Sequence, residues 1–327
     1  MGKGATAEAA AAGVLRMVGF AHAGWSNAGC WVRIALLGLL ALASACSRES
    51  ETDYAPRFTD QPAAGYAELV FAVHPLHNPE RLFAIYGPII EHLNANIRGT
   101  RFRLEASRNY DEFEKKLYAR KFQFALPNPY QTVKALDRGY RVFGKMGDDE
   151  NFRGIILVRR DSGIRSVADL KGKSVSYPAP TALAATMMPQ YYLHTHGLDV
   201  NRDLRNVYVG SQESSIMNVY LGNVAAAATW PVPWATFVKD QPEKARELEL
   251  KWQTETLPNN SLMVRDDVPQ PLVDKVAELL CSLQETPVGR RMLERIPLSR
   301  FEPASGATYA PVRAYVRKFS AEVRPLE

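Results

Sequence analysis

Cysteine is scarce in this chain, and its scarcity limits how the fold can be stabilised. Three cysteines occur in 327 residues, and only Cys281 follows position 46. A disulfide needs two thiols, so none can form within the region after Cys46. A chain of this length can bury enough apolar surface to be stable without one. Cys281 lies in an apolar segment predicted to be helical, which favours a buried, unpaired thiol.

Long apolar runs are also missing. The run Ile34–Ala45 has about a dozen residues, whereas a membrane-spanning helix needs about 20. A short apolar run preceded by a basic residue, here Arg33, is typical of a secretory signal. The run ends in Ala-Ser-Ala-Cys at residues 43–46, which is similar to a bacterial lipoprotein signal, although plain cleavage after Ala45 is an alternative. We therefore predict a signal peptide over residues 1–46, with Cys46 carrying the lipid.

The segment after the signal predicts an anchored protein of the cell envelope. Residues 47–65 are polar, with several charges and two prolines, as in a flexible tether. The sequence leaves open whether Met1 or Met17 is the true start. It also leaves open whether the anchor sits in the inner or the outer membrane, although Ser47 favours the outer one. Either way, we expect a membrane-anchored lipoprotein in the periplasm.

Basic stripes are absent as well. The formal net charge is a mild +5, and no run of Lys and Arg alternates with aromatic residues. Nucleic-acid-binding surfaces depend on such clustered positive charge. Nucleic acid is therefore not an expected partner.

Enzyme and cofactor motifs are missing from the sequence. There is no Gly-x-Ser-x-Gly, dinucleotide-binding, P-loop or His-Glu-x-x-His pattern, so we predict no catalysis and no cofactor. His74 and His77 stand close together, but Pro75 interrupts their loop and no cysteine or paired acid supports them as zinc ligands. We therefore predict no metal site, and a metal-carrying protein using this pair remains a minor alternative. The sequence does not decide whether either histidine contacts a ligand.

From residue 68 onward, short strands alternate with helices, which predicts βαβ units. The pattern divides into two lobes between which the chain passes twice. We predict a discontinuous lobe 1 formed by residues 66–158 and 260–327. Lobe 2 is predicted to span residues 159–259. Ligands in such folds bind in the cleft beyond the strand ends.

The stretch of residues 173–193 is the best candidate for one wall of that cleft. Ser174–Tyr177 alternates as a short strand, and the prolines at 178 and 180 end it. Thr181 then stands where a helix N-cap is expected, before the Ala- and Met-rich run 182–193. A helix N-terminus offers unpaired N–H groups to an anionic or polar ligand. An ordinary strand-to-helix turn is the alternative.

The order of segments resembles the phosphate/phosphite/phosphonate-binding proteins of ABC importers. The most similar segments are residues 156–173, 209–213 and 220–225, and the resemblance extends from about residue 68 to 323. It implies the type II periplasmic binding protein fold, an α/β fold with two lobes. The lobes would have mainly parallel sheets and be joined by a two-segment hinge.

The resemblance implies a binding pocket that is only partly retained. Tyr110 matches a tyrosine that faces the ligand, and Phe152 falls where another tyrosine is usual. The family's hydroxyl-rich oxyanion loop aligns on residues 182–185, of which Ala182 is the first. Gln212 replaces a histidine. Acidic residues that hold a ligand's amino group align with Val232 and Asn260, which argues against aminoethylphosphonate because its ammonium would be buried unpaired.

The remaining candidates make the predicted pocket neutral and aromatic. Its aromatic lining would come from Tyr110, Tyr130, Phe152, Tyr177, Trp230 and Trp234, although core packing is an alternative for several of these. The full set of predicted ligand-binding residues is Tyr110, Asn128, Tyr130, Phe152, Thr181, Ala182, Gln212, Trp230 and Asn260.

These observations predict a lipid-anchored, monomeric solute-binding protein that closes on a small ligand and delivers it to an ABC permease. The ligand would be a phosphonate- or phosphite-like oxyanion or a related small polar molecule. The alternative is a ligand-sensing subunit that presents its closed lobes to a membrane histidine kinase.

Overall fold

A computed structural model of the chain describes residues 67–326. The predicted signal peptide, the tether and Cys46 lie outside these residues. Within the described part, no helix combines the length and apolar character that crossing a membrane requires.

Eleven strands in the described residues form two sheets. In chain order they are β1 Ala67–Val73, β2 Thr100–Ala106, β3 Phe124–Leu126, β4 Tyr140–Met146, β5 Arg153–Arg159, β6 Ser174–Tyr177, β7 Arg205–Tyr208, β8 Ala226–Thr229, β9 Leu248–Thr256, β10 Ser261–Arg265 and β11 Phe301–Glu302. The first sheet has the order β11-β4-β10-β3-β1-β2, and the second has the order β7-β6-β8-β5-β9. Each sheet is the centre of one lobe, and both belong to one compact unit.

Ten α-helices of the described residues pack around these sheets. They are α1 Pro79–Asn96, α2 Tyr110–Tyr118, α3 Pro129–Leu136, α4 Met188–Thr195, α5 Gln212–Tyr220, α6 Pro231–Asp240, α7 Pro242–Arg246, α8 Gln270–Cys281, α9 Pro287–Arg295 and α10 Ala310–Glu322. A π-helix, Leu183–Met187, leads directly into α4.

The sheets are mixed, which corrects the expectation of mainly parallel sheets. Strands β2, β1 and β3 pair in parallel, as do β7, β6 and β8. The other pairings are antiparallel. The chain leaves the first sheet through β4 and β5 and returns through β9 and β10. Outgoing and returning strands lie side by side, so β4 pairs with β10 and β5 with β9 in opposite directions.

The chain passes between the sheets twice, through residues 147–152 and 257–260. The second passage leads from the end of β9 to the start of β10. The first lies earlier than the predicted boundary at 158–159, because β5 belongs to the second sheet. Residues 153–158 therefore pack with lobe 2.

Helix α6 begins in a proline-rich segment. The prolines of α6 stand at its first and third positions, where the helix needs no N–H donor. Trp230 is the N-cap residue, so the Trp-Pro-Val-Pro-Trp segment begins a helix.

The largest core cluster joins the two lobes. It contains Tyr110 from α2 together with Phe152, Trp230 and Tyr309, all nearly inaccessible to solvent. Cys281 is half-buried at the edge of the lobe 1 core, not fully buried as predicted. Desolvation still raises the pKa of its thiol.

Candidate functional site

A small cavity, which we call the inner cavity, lies between the lobes. It is lined by His74, Tyr110, Asn128, Phe152, residues 182–185, Gln212, Trp230 and Asn260. Its volume is about 10 Å³, roughly what one water molecule occupies. Among the described residues, no Lys, Arg, Asp or Glu lines it. A ligand larger than water can therefore enter only if the two walls separate.

The lobe 1 wall forms where the parallel strands of the first sheet end. His74 follows β1 directly. Tyr110 is the first residue of α2, which Asn109 caps by accepting from the backbone N–H of Glu112. Asn128 follows β3 and caps α3, with Gln131 completing a capping box. Because parallel strands end at the same edge of a sheet, three distant segments converge here.

The lobe 2 wall repeats this arrangement. Residues 182–185, which follow β6, enter the π-helix. Gln212 begins α5 after Ser211 caps it, and Trp230 precedes α6 at the end of β8. The first N–H groups of a helix lack partners within that helix. The inner cavity therefore faces potential donors from the backbone as well as from the side chain of Gln212.

The two passages between the lobes supply the remaining wall. The ring centroids of Phe152 and Trp230 lie 5.6 Å apart. Asn260 is held by the Asn259 side chain, which accepts from its backbone N–H at 2.8 Å. Asn259 also donates to the Gly147 carbonyl at 2.8 Å, and its own carbonyl accepts from Tyr309 Oη at 2.5 Å. These bonds tie both passages to one another.

Three of the polar contacts that cross the cleft lie at or beside the inner cavity. Gln212 Nε2 donates to Tyr110 Oη at 3.4 Å, and Gln212 Oε1 accepts from Thr229. Asn128 Nδ2 donates to the Thr181 carbonyl at 3.1 Å. His77 Nδ1 lies 3.1 Å from Glu213 Oε1. Each contact pairs one residue of lobe 1 with one of lobe 2, so separating the lobes would break all three.

Thr181 does not cap a helix, which corrects its predicted role. The N-cap position belongs to Ala182, and no side chain bonds there. The Thr181 hydroxyl instead donates to Glu114 Oε1 at 2.5 Å, a carboxylate oxygen that also accepts from Gln131. Burial raises the pKa of Glu114.

A second cavity, the outer cavity, lies at the mouth of the cleft. Its volume is about 530 Å³, and its lining includes Tyr110, Glu114, Tyr130, Thr181 and Arg324. Tyr130 and Thr181 therefore lie outside the inner cavity, where the other seven predicted ligand-binding residues meet. Tyr110 lines both cavities.

Two of the aromatic candidates, Tyr177 and Trp234, line neither the inner nor the outer cavity. Tyr177 is fully buried in the shared core. Trp234 is half-buried in a separate lobe 2 cluster, where its ring stacks on Phe237. For these two residues, core packing is the observed role.

The main residue that the predicted set omitted is His74. Its position in a strand-exit loop bordering the cleft was the available signal. His74 is 2% exposed, and its Nδ1 lies 2.9 Å from the Leu126 carbonyl oxygen. Burial lowers the pKa of His74 to about 4, against the raising effect of that carbonyl. The side chain is therefore neutral at pH 7.

His74 should make the folded state sensitive to acid. The unfolded chain takes up a proton near pH 6.5, whereas the folded state resists it down to about pH 4. The contribution of neutral His74 to the free energy of unfolding is thus complete above pH 6.5. It is lost as the pH falls toward 4, by about 3 kcal/mol. Denaturant unfolding at pH 7, 5.5 and 4 measures this loss. His74→Phe should flatten the dependence, and His194→Gln, which alters a residue outside the cavity, should not. An unchanged slope in His74→Phe would contradict the assignment.

Glu213, the residue after Gln212 in α5, has a carboxylate that lies 3.1 Å from His77 Nδ1. Burial raises its pKa, but the hydrogen bond and the charge of His77 outweigh this effect, so the pKa is lowered overall.

Within residues 67–326, no group of three or more His, Cys, Asp or Glu side chains is arranged to hold a metal ion.

A comparison with known proteins finds a protein family whose model this chain matches. A family model described as "ABC transporter, phosphonate, periplasmic substrate-binding protein" matches residues 71–309. The phosphonates-binding periplasmic protein of Escherichia coli K12 is 22% identical over 163 residues, which cover 49% of this chain and 48% of that protein. The match thus spans about half the length of that relative.

Solved structures share the fold at low sequence identity. A binding protein component of an ABC phosphonate transporter from Pseudomonas aeruginosa has a TM-score of 0.72 and 17% identity, covering 77% of this chain and 86% of that one. PhnD1 of Prochlorococcus marinus, in complex with methylphosphonate, has a TM-score of 0.71 and 16% identity, covering 77% and 98%. These likenesses confirm the predicted two-lobed α/β fold class.

Proposed function

The chain belongs to the family of periplasmic substrate-binding proteins of phosphonate ABC transporters, and we propose that it captures a small phosphonate- or phosphite-like oxyanion between its lobes. It then delivers this ligand to an ABC permease. The observation that carries the proposal is the inner cavity, where the ends of the parallel strands of both sheets face each other. The proposed role is binding, with no catalytic step.

The donors around the inner cavity suit an oxyanion. Tyr110 Oη accepts from Gln212, which leaves its own hydrogen free to donate. Asn260 Nδ2 contacts only the sulfur of Met146, at 3.4 Å, a weak acceptor that an anionic oxygen would displace. Backbone N–H groups at the start of the π-helix add further donors. Neutral donors in a water-excluded cleft bind an anion without a full counter-charge.

Closure of the lobes is the proposed working motion. The cavity in this conformation is too small for a phosphonate, so the ligand enters an opened cleft. The closed form is then favoured because the ligand bonds to both walls at once, alongside the polar contacts that cross the cleft. The closed lobes would present the surface that a permease recognises. We further propose that the protein is monomeric and held at the membrane by a lipid on Cys46.

A thermal-shift screen tests the ligand class. We expect phosphite and methylphosphonate to raise the melting temperature, since a ligand bound only to the folded state adds about 2.7 kcal/mol at 100 times its Kd. 2-Aminoethylphosphonate should give a clearly smaller shift. No carboxylate lines the inner cavity among the described residues, and Val232 and Asn260 offer no charge to its ammonium group.

The comparison of the two phosphonates also provides the control. Both have the same oxyanion head, so a difference in shift reports on the charged aminomethyl group that 2-aminoethylphosphonate adds to methylphosphonate. An equal or larger shift with 2-aminoethylphosphonate would contradict the neutral site described above. No shift with any phosphorus oxyanion would contradict the proposed function.

A further inference from the structure

The tautomer of His74 is fixed by its surroundings. The Leu126 carbonyl oxygen, 2.9 Å from Nδ1, can only accept, so Nδ1 must carry the ring hydrogen. The ring is also held in orientation by the edges of Tyr110 and Phe113, with centroids 5.9 and 6.3 Å away. Nε2 of the neutral ring is then a hydrogen-bond acceptor and not a donor.

The other polar side chains of the inner cavity either can change their orientation or already use their acceptor oxygen in a hydrogen bond within the protein. Gln212 Oε1 accepts from Thr229, and Asn128 Oδ1 accepts from the Gln131 backbone. The amide of Asn260 can rotate to present either its oxygen or its nitrogen. His74 cannot make this change, because moving the ring hydrogen to Nε2 would leave the Leu126 carbonyl facing the lone pair of Nδ1, and turning the ring would leave it facing a C–H group. The site therefore combines several donors with one fixed acceptor.

The charges around His74 disfavour a doubly charged ligand. His77 shares its loop, and Glu213 of α5 lies behind His77. From α2, the Tyr110 phenol and the Glu114 carboxylate face the same region. The two carboxylates are negative neighbours, and no described Lys or Arg lines the inner cavity. A dianion would thus be desolvated without a cationic partner, at greater cost than a monoanion.

Resting on the proposed function, we propose that His74 Nε2 accepts a hydrogen bond from a hydroxyl group of the ligand. The site thereby selects oxyacids that keep one protonated oxygen, such as the monoanions of phosphite and methylphosphonate. Anions of the same charge that have no hydroxyl leave Nε2 unpaired in a buried site, and unpaired buried acceptors are costly. His74 is in this sense a specificity-determining residue.

Matched pairs of monoanions test the selectivity by titration calorimetry. Methylphosphonate is compared with dimethylphosphinate, and phosphite with hypophosphite, at a pH where each is singly charged. The second member of each pair lacks the hydroxyl. We expect the hydroxyl-bearing ligand to bind at least 10-fold more tightly in both pairs. As the pH rises through the second ionisation of methylphosphonate, its affinity should fall while that of dimethylphosphinate stays constant.

The variant His74→Phe tests whether His74 causes the preference for the hydroxyl-bearing ligand. His74→Phe removes the acceptor and keeps a planar ring, and the Leu126 carbonyl retains its bond from the backbone N–H of residue 74 at 3.1 Å. The preference for the hydroxyl-bearing ligand should collapse in this variant, while His194→Phe should keep it. If His74→Phe fails to fold, the wild-type ligand pairs still decide whether the hydroxyl matters.

The outcomes separate this inference from the proposed function. Equal affinities within both pairs, or an undiminished preference in His74→Phe, would overturn the role of His74 and leave the binding function standing. Binding of none of the four anions would overturn the proposed function, and this inference with it.

Discussion

Replacing Tyr110 with alanine is expected to weaken binding of phosphite or methylphosphonate by about 100-fold. The phenol is a donor to the ligand, and a hydrogen bond to a charged group contributes roughly 1.5–3 kcal/mol. The ring, 3% exposed, also forms the boundary between the inner and outer cavities, so its loss lets water into the site. Calorimetric titration of the variant measures the loss.

Two further variants serve as controls for that result. Tyr110→Phe keeps the ring and removes the hydroxyl, so it should give a smaller loss of about 10-fold. Tyr220→Ala removes a half-buried tyrosine of α5 that lines neither cavity, and it should leave affinity unchanged. If Tyr110→Ala retained full affinity, the inner cavity would not be the binding site.

Replacing Gly154 with valine is expected to displace the π-helix that lines the inner cavity. A Cβ at this position would lie 2.6 Å from the Ala184 carbonyl oxygen and from Pro189 Cδ. The first is backbone of the π-helix that lines the inner cavity, so the segment must shift. We expect a destabilisation of about 1–3 kcal/mol, the usual cost of overpacking, and an affinity loss of at least 10-fold.

Gly87→Ala is the matched control for this change. Gly87 lies inside α1, and an added Cβ there meets no atom within 4 Å. This variant should be neutral or slightly stabilising, since alanine is preferred to glycine in a helix. Denaturant unfolding and titration of both variants provide the comparison. A Gly154→Val protein with unchanged stability and affinity would contradict the close packing of β5 against the π-helix.

The alternation of strands and helices made the fold class predictable, because apolar strands and amphipathic helices have distinct periods. The site was partly predictable for a related reason. Residues that follow parallel strands converge at one sheet edge, which brought Asn128 and Trp230 into the inner cavity. Tyr110, Gln212 and Asn260 were placed by resemblance instead.

The remaining features depend on contacts that local sequence does not encode. The antiparallel pairing of β5 with β9 follows from the chain returning to the hinge about 100 residues after it left, so that Arg153 pairs with Thr256. Thr181 has the chemistry of an N-cap, yet Glu114 on the opposite lobe competes for its hydroxyl. The tautomer of His74 depends on the Leu126 carbonyl, 52 residues away. Tertiary partners decide all three.

The central claim is that two lobes close on a small oxyanion, and a distance between them tests it most directly. Arg81 Nη1 of α1 and Asp240 Oδ2 of α6 lie 2.7 Å apart across the lobes. Phe83 and Val238 stand two residues from them and are exposed, so both accept spin labels. With saturating methylphosphonate, the labels should give one short, narrow distance, and without it a longer population should appear. The same distribution in both conditions, in protein that binds the ligand, would contradict closure.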